Sequence, residues 1–281
     1  MPKIEEAYRQ ALAEGKPLGV LSGDIRLLLS HAMGYPAPID TLYHAADECT
    51  AYDAFRQDFA KLLRGVPVEY IIHEAKFLQN KLYVDERVLI PRGETEELVA
   101  LLSEKIYDYY DPRNWLVVAD IGTGSGAIAC ALKSMYANWL VSASDVSKEA
   151  LGVAKRNFAD LGLSVNVLEG PSLQPYIAAN MNLDVIVANP PYILNRDEVQ
   201  ESVKDYEPGL ALYLDKERSV YEEIFRDYKK VKKGSLLMAF EIGYDLVDYL
   251  SDLMKAYLQD YEYEFVNDLN GLTRFLFVYC H

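Results

Sequence analysis

Asn189-Pro190-Pro191-Tyr192 follows the apolar run Val185-Ile186-Val187-Ala188, which reads as a buried parallel strand. Neither proline has an N–H, so the loop offers carbonyl acceptors with few competing donors on a stiffened backbone. Asn189 adds a side-chain oxygen and Tyr192 a flat aromatic wall. Such a set can grip a planar –NH2 group by both hydrogens and aim its nitrogen at an electrophile. Pro-Pro alone would suggest only a strand-ending turn. A glycine loop upstream moves the reading towards chemistry.

That loop is Asp120-Ile121-Gly122-Thr123-Gly124-Ser125-Gly126-Ala127, placed after an apolar run and before a helical pattern. Glycines there let the backbone turn sharply and let a ligand lie against it. Asp145 closes the next strand, where a carboxylate can accept hydrogen bonds from ribose hydroxyls. Taken alone, Gly122-x-Gly124-x-x-Ala127 also passes as a dinucleotide fingerprint. Asp120, two residues before the first glycine, is suited to a cationic or amine-bearing ligand rather than a pyrophosphate. Near the end of the chain, Tyr261–Val266, then Asn270-Gly271, then Leu272–Tyr279 reads as a β-hairpin that resembles the ending of class I methyltransferases, and it moves the expectation further, from NAD to S-adenosylmethionine.

These residues need a scaffold, and the hydropathy pattern supplies one. Residues 1–72 read as a small helical domain: Ala7, Ala11 and Leu12 share a face, Asp24 caps or begins a second helix ending before Gly34, and Asp53 opens a third carrying Phe55, Phe59, Leu62 and Leu63. The stretch from Glu69 to Val88, including Tyr70-Ile71-Ile72, reads as β-rich, with a hairpin turning near Gln79-Asn80; residues 73–90 are expected to link two domains. From residue 91 to 281 strands and helices alternate, with strands at Trp115–Asp120, Leu140–Asp145, Val165–Leu168, Val185–Ala188 and Leu236–Glu241. Alternation of this kind predicts an α/β, doubly wound, mostly parallel seven-stranded sheet. Asn270-Gly271 between two β-rich runs predicts a C-terminal antiparallel hairpin.

Composition narrows the partners. The 281 residues carry a net charge of −15, and the densest basic cluster, Lys229-Lys230-Val231-Lys232-Lys233, reads as the end of a helix. Binding a polyanion needs clustered Lys and Arg, so direct nucleic-acid binding is not expected, and a basic protein partner suits the surface better. No apolar run approaches a membrane span. The three cysteines, Cys49, Cys130 and Cys280, are far apart, and the four histidines form no ligand pattern, so no metal site is expected. A reducing cytoplasm is the expected compartment.

With both motifs in hand, the chain resembles the S-adenosylmethionine-dependent methyltransferases of the NPPY type. Val88-Leu89-Ile90-Pro91-Arg92-Gly93-Glu94-Thr95-Glu96-Glu97-Leu98-Val99 is similar to the signature of the protein-(glutamine-N(5)) methyltransferases of peptide chain release factors. Val66-Pro67-Val68-Glu69-Tyr70-Ile71 and Tyr206-Glu207-Pro208 with Ala211-Leu212 match the same family, and the likeness runs through essentially the whole chain. The run Glu94-Thr95-Glu96 favours that family over its ribosomal-protein relative, which shares NPPY. The chain departs from the family at three places: Gly93 stands for a usual proline, His73 for a glycine, and Gly170-Pro171 for a frequent Ser-Asp pair.

The resemblance implies methyl transfer from S-adenosylmethionine to the glutamine side-chain nitrogen of a Gly-Gly-Gln motif in bacterial class I release factors, with residues 1–72 recognising the substrate. Asn189 and Pro190 would each accept one N–H, with Pro191 and Tyr192 walling the amide. The cofactor would meet Asp120, Gly122, Thr123, Gly124, Ser125, Gly126, Asp145 and Asn189, with Ser172 or Leu173 at the adenine edge. Arg92, Thr95 and Glu96 either brace that pocket or are structural, and Glu207 either faces substrate or caps a helix. Two rivals are an adenine or guanine methyltransferase, which would want a basic face or a recognition insert, and a non-catalytic module, which would be expected to lose Asp120, Asp145 or Asn189.

Overall fold

The computed structural model describes residues 1–110, 115–194, 201–215 and 219–281. They form two compact units, one of Met1–Glu74 with the helix Glu201–Tyr206, the other built from Ala75 onward.

The first unit is helical. Ile4–Gly15, Ser22–Met33 and Tyr52–Leu62 contribute Ala7, Ala11, Ile25, Leu28, Leu29, Phe55 and Phe59 to one core. Their i, i+3 and i+4 spacing is what puts them on common faces. The second helix starts at Ser22, earlier than Asp24, and ends at Gly34, whose φ of 70° makes the left-handed cap that glycine tolerates. Tyr70-Ile71-Ile72, expected to be extended, lies in the short helix Val68–Ile72. Pro67 enters it in extended geometry, and Val68, Ile71 and Ile72 turn into the helical core, so helical packing overrides their β-propensity.

The second unit opens with a small hairpin, β1 (Ala75–Phe77) and β2 (Asn80–Leu82). Seven further strands follow: β3 (Val117–Ile121), β4 (Leu140–Asp145), β5 (Asn166–Glu169), β6 (Leu183–Ala188), β7 (Lys232–Glu241), β8 (Glu262–Asn267) and β9 (Thr273–Cys280). They make one sheet in the order β5-β4-β3-β6-β7-β9-β8, parallel except for β9, which pairs antiparallel with β7 and β8. The winding reverses between β3 and β6, the switch point at which such sheets bind ligands beyond the strands' carboxyl ends. The β8–β9 turn is longer than a two-residue Asn-Gly turn: the Asp268 carboxylate accepts from the N–H groups of Asn270 and Leu272, both at 2.9 Å.

Both faces of the sheet are covered, as parallel strands require. Val118, Val141, Ala143, Val185, Val187, Leu237 and Ala239 pack on one side with the helices Gly93–Tyr109 and Ala127–Met135. Ala119, Ile121, Ile186, Ala188, Met238 and Phe240 pack on the other with Val220–Asp227 and Val247–Tyr257. The basic cluster splits: Lys229 and Lys230 lie in a 3-10 turn after the helix, whereas Lys232 and Lys233 begin β7. Among the described residues, no helix is long and apolar enough to cross a membrane.

Candidate active site

Strand register brings the chemistry together. Ile121 pairs with Ser144 and with Ala188, and Ala188 pairs with Phe240. The next residues along the four strands are therefore neighbours: Asp145, Gly122, Asn189 and Glu241. Side chains alternate across a sheet with period two. Asp120, Asp145, Asn189 and Glu241 thus share parity with Val118, Ala143, Val187 and Ala239, on the face that carries helix Gly93–Tyr109.

The glycine loop has two kinds of glycine. Gly122, Gly124 and Gly126 all have positive φ (70°, 54° and 83°). A Cβ built on Gly122 or Gly124 meets nothing within 4 Å, whereas one on Gly126 comes within 2.8 Å of the Phe158 ring. Gly126 therefore serves packing, and the first two leave open space for a ligand. The loop's N–H groups are mostly committed: Gly122 and Thr123 donate to the Ser144 carbonyl, both at 2.9 Å, Gly124 to Asp145 Oδ2 at 2.9 Å and Gly126 to the Thr123 carbonyl at 2.8 Å. A pyrophosphate site needs such groups turned towards the ligand, so this loop is poorly suited to a dinucleotide.

It offers acceptors instead. Asp120 is buried; its Oδ2 accepts from Thr123 Oγ1 at 2.6 Å and from the Ala129 N–H at 3.1 Å, while Oδ1 is buried without a hydrogen-bond partner among the described residues. Burial pushes its carboxyl up to about 7, the two bonds oppose the rise, and the Asp145 charge adds to it. Asp145 Oδ1 accepts from the Ser147 N–H at 2.9 Å, so each of its oxygens has one bond and room for another. Burial raises its pKa too. Ser172 is held at φ 49°, a region that costs a residue with a side chain, and its buried hydroxyl also has no partner among the described residues. An orphaned carboxylate oxygen, an orphaned hydroxyl, a second carboxylate and an open glycine cradle fit S-adenosylmethionine, with its amine, ribose hydroxyls and adenine. Leu173 is fully buried in the apolar core.

Asn189 sits at the head of a relay. Its Nδ2 donates to Thr95 Oγ1 at 3.0 Å, and Thr95 Oγ1 donates to Glu241 Oε2 at 2.6 Å. Tyr192 donates its hydroxyl to Glu241 Oε1 at 3.1 Å, with the Arg274 guanidinium 5.7 Å from its ring centre. Glu241 is fully buried; burial raises its pKa, while the Thr95 and Tyr192 bonds and the Arg274 charge lower it. Burial likewise raises the Tyr192 phenol, with the Glu241 charge adding to it. Beyond Tyr192, Ile193 donates to the Leu212 carbonyl and accepts from Leu214, both at 3.0 Å, which ties down the far end of the loop.

The acidic signature resolves into distinct jobs. Thr95 joins the relay; Glu96 Oε1 accepts from the Leu78 N–H at 2.7 Å and so anchors the β1–β2 turn. Arg92 pairs with Glu207, whose carboxylate is buried against it. Pro190 is buried and Pro191 half-buried behind the loop. Glu241 is the residue that sequence reasoning passed over: an acid closing an apolar strand looks like a terminator, and only strand register places it beside Asn189.

Residues 100–205 match the methyltransferase small domain family. A methyltransferase from Pyrococcus furiosus aligns with a TM-score of 0.50 at 15% identity, covering 80% of this chain and 97% of that one, a likeness of fold. The release factor glutamine methyltransferase of Bacillus subtilis is 39% identical over 220 residues, 77% of this chain and 76% of the relative. That of Enterococcus faecalis is 35% identical over 225 residues, 79% of each. Identity at this level along most of both chains, on a sheet whose strand ends carry the glycine cradle and the Asn189 loop, places the chain in the family of release factor glutamine methyltransferases.

Proposed function

We propose that this protein transfers the methyl group of S-adenosylmethionine to the side-chain amide nitrogen of the glutamine in the Gly-Gly-Gln motif of bacterial class I peptide chain release factors. The observation that carries this reading is the Asn189 side chain: its Nδ2 is engaged by Thr95, and its Oδ1 has no partner among the described residues. Asn189 Oδ1 and the Pro190 carbonyl form an acceptor pair matched to the two N–H bonds of a primary amide.

When bound, the cofactor supplies an electrophilic methyl on sulfur. Everything else falls to the chain. An amide nitrogen is a poor nucleophile because its lone pair is delocalised into the carbonyl. Two acceptors on its hydrogens fix the nitrogen's direction and favour the positive charge that develops on it. Positioning of this kind is worth roughly 7–11 kcal/mol in well-oriented pairs. The new N–C bond forms as the S–C bond breaks, and the nitrogen then releases a proton to solvent. Tyr192, held by Glu241, walls the flat amide. Asp120, Asp145, Ser172 and the open face at Gly122 and Gly124 would hold the cofactor.

The net charge of −15 suits a basic protein substrate better than a nucleic acid, and the helical unit is assigned to holding the release factor's body. Mass spectrometry of a purified release factor incubated with the protein and cofactor tests the reading. One added methyl on the Gly-Gly-Gln glutamine is expected, and none when that glutamine is replaced by glutamate. Methylation of RNA or DNA with the release factor untouched refutes it.

A further inference from the structure

We propose that Glu241 is a positioning residue that sets the polarity of the substrate grip, acting on Asn189 through Thr95. The inference rests on the functional reading above and adds a reason for the orientation of the Asn189 amide. An asparagine amide is nearly symmetric in shape, so packing alone does not decide which end faces the substrate. Presenting Oδ1 gives an acceptor for a glutamine N–H. Presenting Nδ2 sets donor against donor and disables the site.

The hydrogen-bond chain removes the ambiguity. The Thr95 and Tyr192 hydroxyls and the Arg274 charge act against burial to favour the ionised form of Glu241, and an ionised carboxylate only accepts. Glu241 takes one hydroxyl at each oxygen, Thr95 at 2.6 Å and Tyr192 at 3.1 Å. The Thr95 hydroxyl has a single hydrogen, and Glu241 takes it. Thr95 Oγ1 can then only accept from Asn189, 3.0 Å away, so Nδ2 must face Thr95 and Oδ1 must face the other way. One buried carboxylate therefore orders both the amide that grips and the tyrosine that walls it. Thr95, Asn189 and Glu241 come from helix Gly93–Tyr109, the end of β6 and the end of β7.

The substitutions make opposite demands. Glu241→Gln supplies one acceptor and one donor where two acceptors stood. With its amide nitrogen towards Thr95 the relay reverses, and the Thr95 hydrogen becomes free to hold Asn189 Oδ1. Thr95→Val keeps the shape and removes the relay, whereas Thr95→Ser keeps the hydroxyl. Single-turnover methylation of the release factor is expected to slow 10- to 100-fold in T95V and E241Q, with affinity for S-adenosylhomocysteine within about twofold of wild type. T95S is expected to recover most of what T95V loses.

Two readouts separate a relay from plain packing. Calorimetry with Gly-Gly-Gln and Gly-Gly-Glu peptides should show strong preference for glutamine in the wild type, narrowed at least tenfold in E241Q. The side-chain amide resonances of Asn189 should move in T95V and E241Q and stay near their wild-type positions in T95S. Wild-type rates and unmoved Asn189 resonances in T95V overturn the proposal, as does a T95S variant as slow as T95V. The resonances read the relay even if the wild type methylates no release factor, an outcome that would refute the functional reading by itself.

Discussion

Asp120→Asn should stabilise the cofactor-free protein at pH 8 while weakening its hold on the cofactor. In the folded state the carboxyl titrates at about 7, against an ordinary value of 3.8, chiefly because it is buried. A group whose folded pKa lies above its unfolded one binds its proton more tightly when folded, so stability falls as pH rises between the two values. Integrating over that window, the ionisable carboxyl costs roughly 1.5 kcal/mol at pH 5 and roughly 4 kcal/mol at pH 8. Asparagine keeps an oxygen for the Thr123 and Ala129 donors and puts an unpartnered NH2 where Oδ1 stood, at a cost of about 1–3 kcal/mol that does not depend on pH. The variant should therefore be close to wild type or below it at pH 5, and about 1–3 kcal/mol more stable at pH 8. Urea unfolding of the sheet-bearing unit at both pH values measures this, and calorimetry with S-adenosylhomocysteine measures the lost affinity. A difference in stability that stays constant from pH 5 to pH 8 would refute the reasoning, since it would mean that Asp120 does not titrate in that window.

Asp145→Ala removes the carboxylate assigned to the ribose and should weaken S-adenosylhomocysteine binding by about 1.5–3 kcal/mol by calorimetry; unchanged affinity would take Asp145 out of the site. Asn189→Ala should bind the cofactor nearly as wild type while single-turnover transfer slows roughly 100- to 1000-fold, the loss seen when one preorganised polar contact is removed. Gly93→Pro should stabilise the protein by about 0.4–1 kcal/mol. Gly93 is the first residue of its helix, Arg92 before it is already extended at φ −105° and ψ 157°, and a Cβ there meets nothing within 4 Å. A urea midpoint below that of the wild type would refute the last of these.

Much of the sheet was legible because each strand of a doubly wound fold is a short apolar run ended by a polar residue. Asp120, Asp145 and Asn189 stood out for the same reason, each closing such a run before a turn. The errors came where long-range packing overrides the local pattern or decides what the local pattern leaves open. Tyr70-Ile71-Ile72 has strand composition, yet the helical core of the first unit takes it as a helix. Lys232 and Lys233 looked like a helix end, yet pairing with β6 begins β7 there. The three glycines after β3 look equivalent in sequence, and only the approach of Phe158 separates Gly126 from the other two.

Glu241 shows where single-sequence reading runs out. It lies 146 residues from Thr95 and 49 from Tyr192, and no local pattern links the three. Its role follows from one fact of topology: β6 and β7 are parallel neighbours in register, so residues that end them stand side by side. The same logic separates the two halves of the site. β3 and β4, on one side of the switch point, lead to the open glycine loop and to the Asp120 and Asp145 carboxylates, and Asp120 Oδ1 is buried without a hydrogen-bond partner among the described residues. β6 and β7, on the other, end at Asn189 and Glu241, and Asn189 Nδ2, Thr95 and Glu241 are joined in one hydrogen-bond chain. In the proposed reading, a cofactor that must come and go is met by an acceptor held in deficit. In the same reading, a reacting amide that must be aimed within a fraction of an ångström is met by a side chain held at its nitrogen end by Thr95 and, through it, by Glu241.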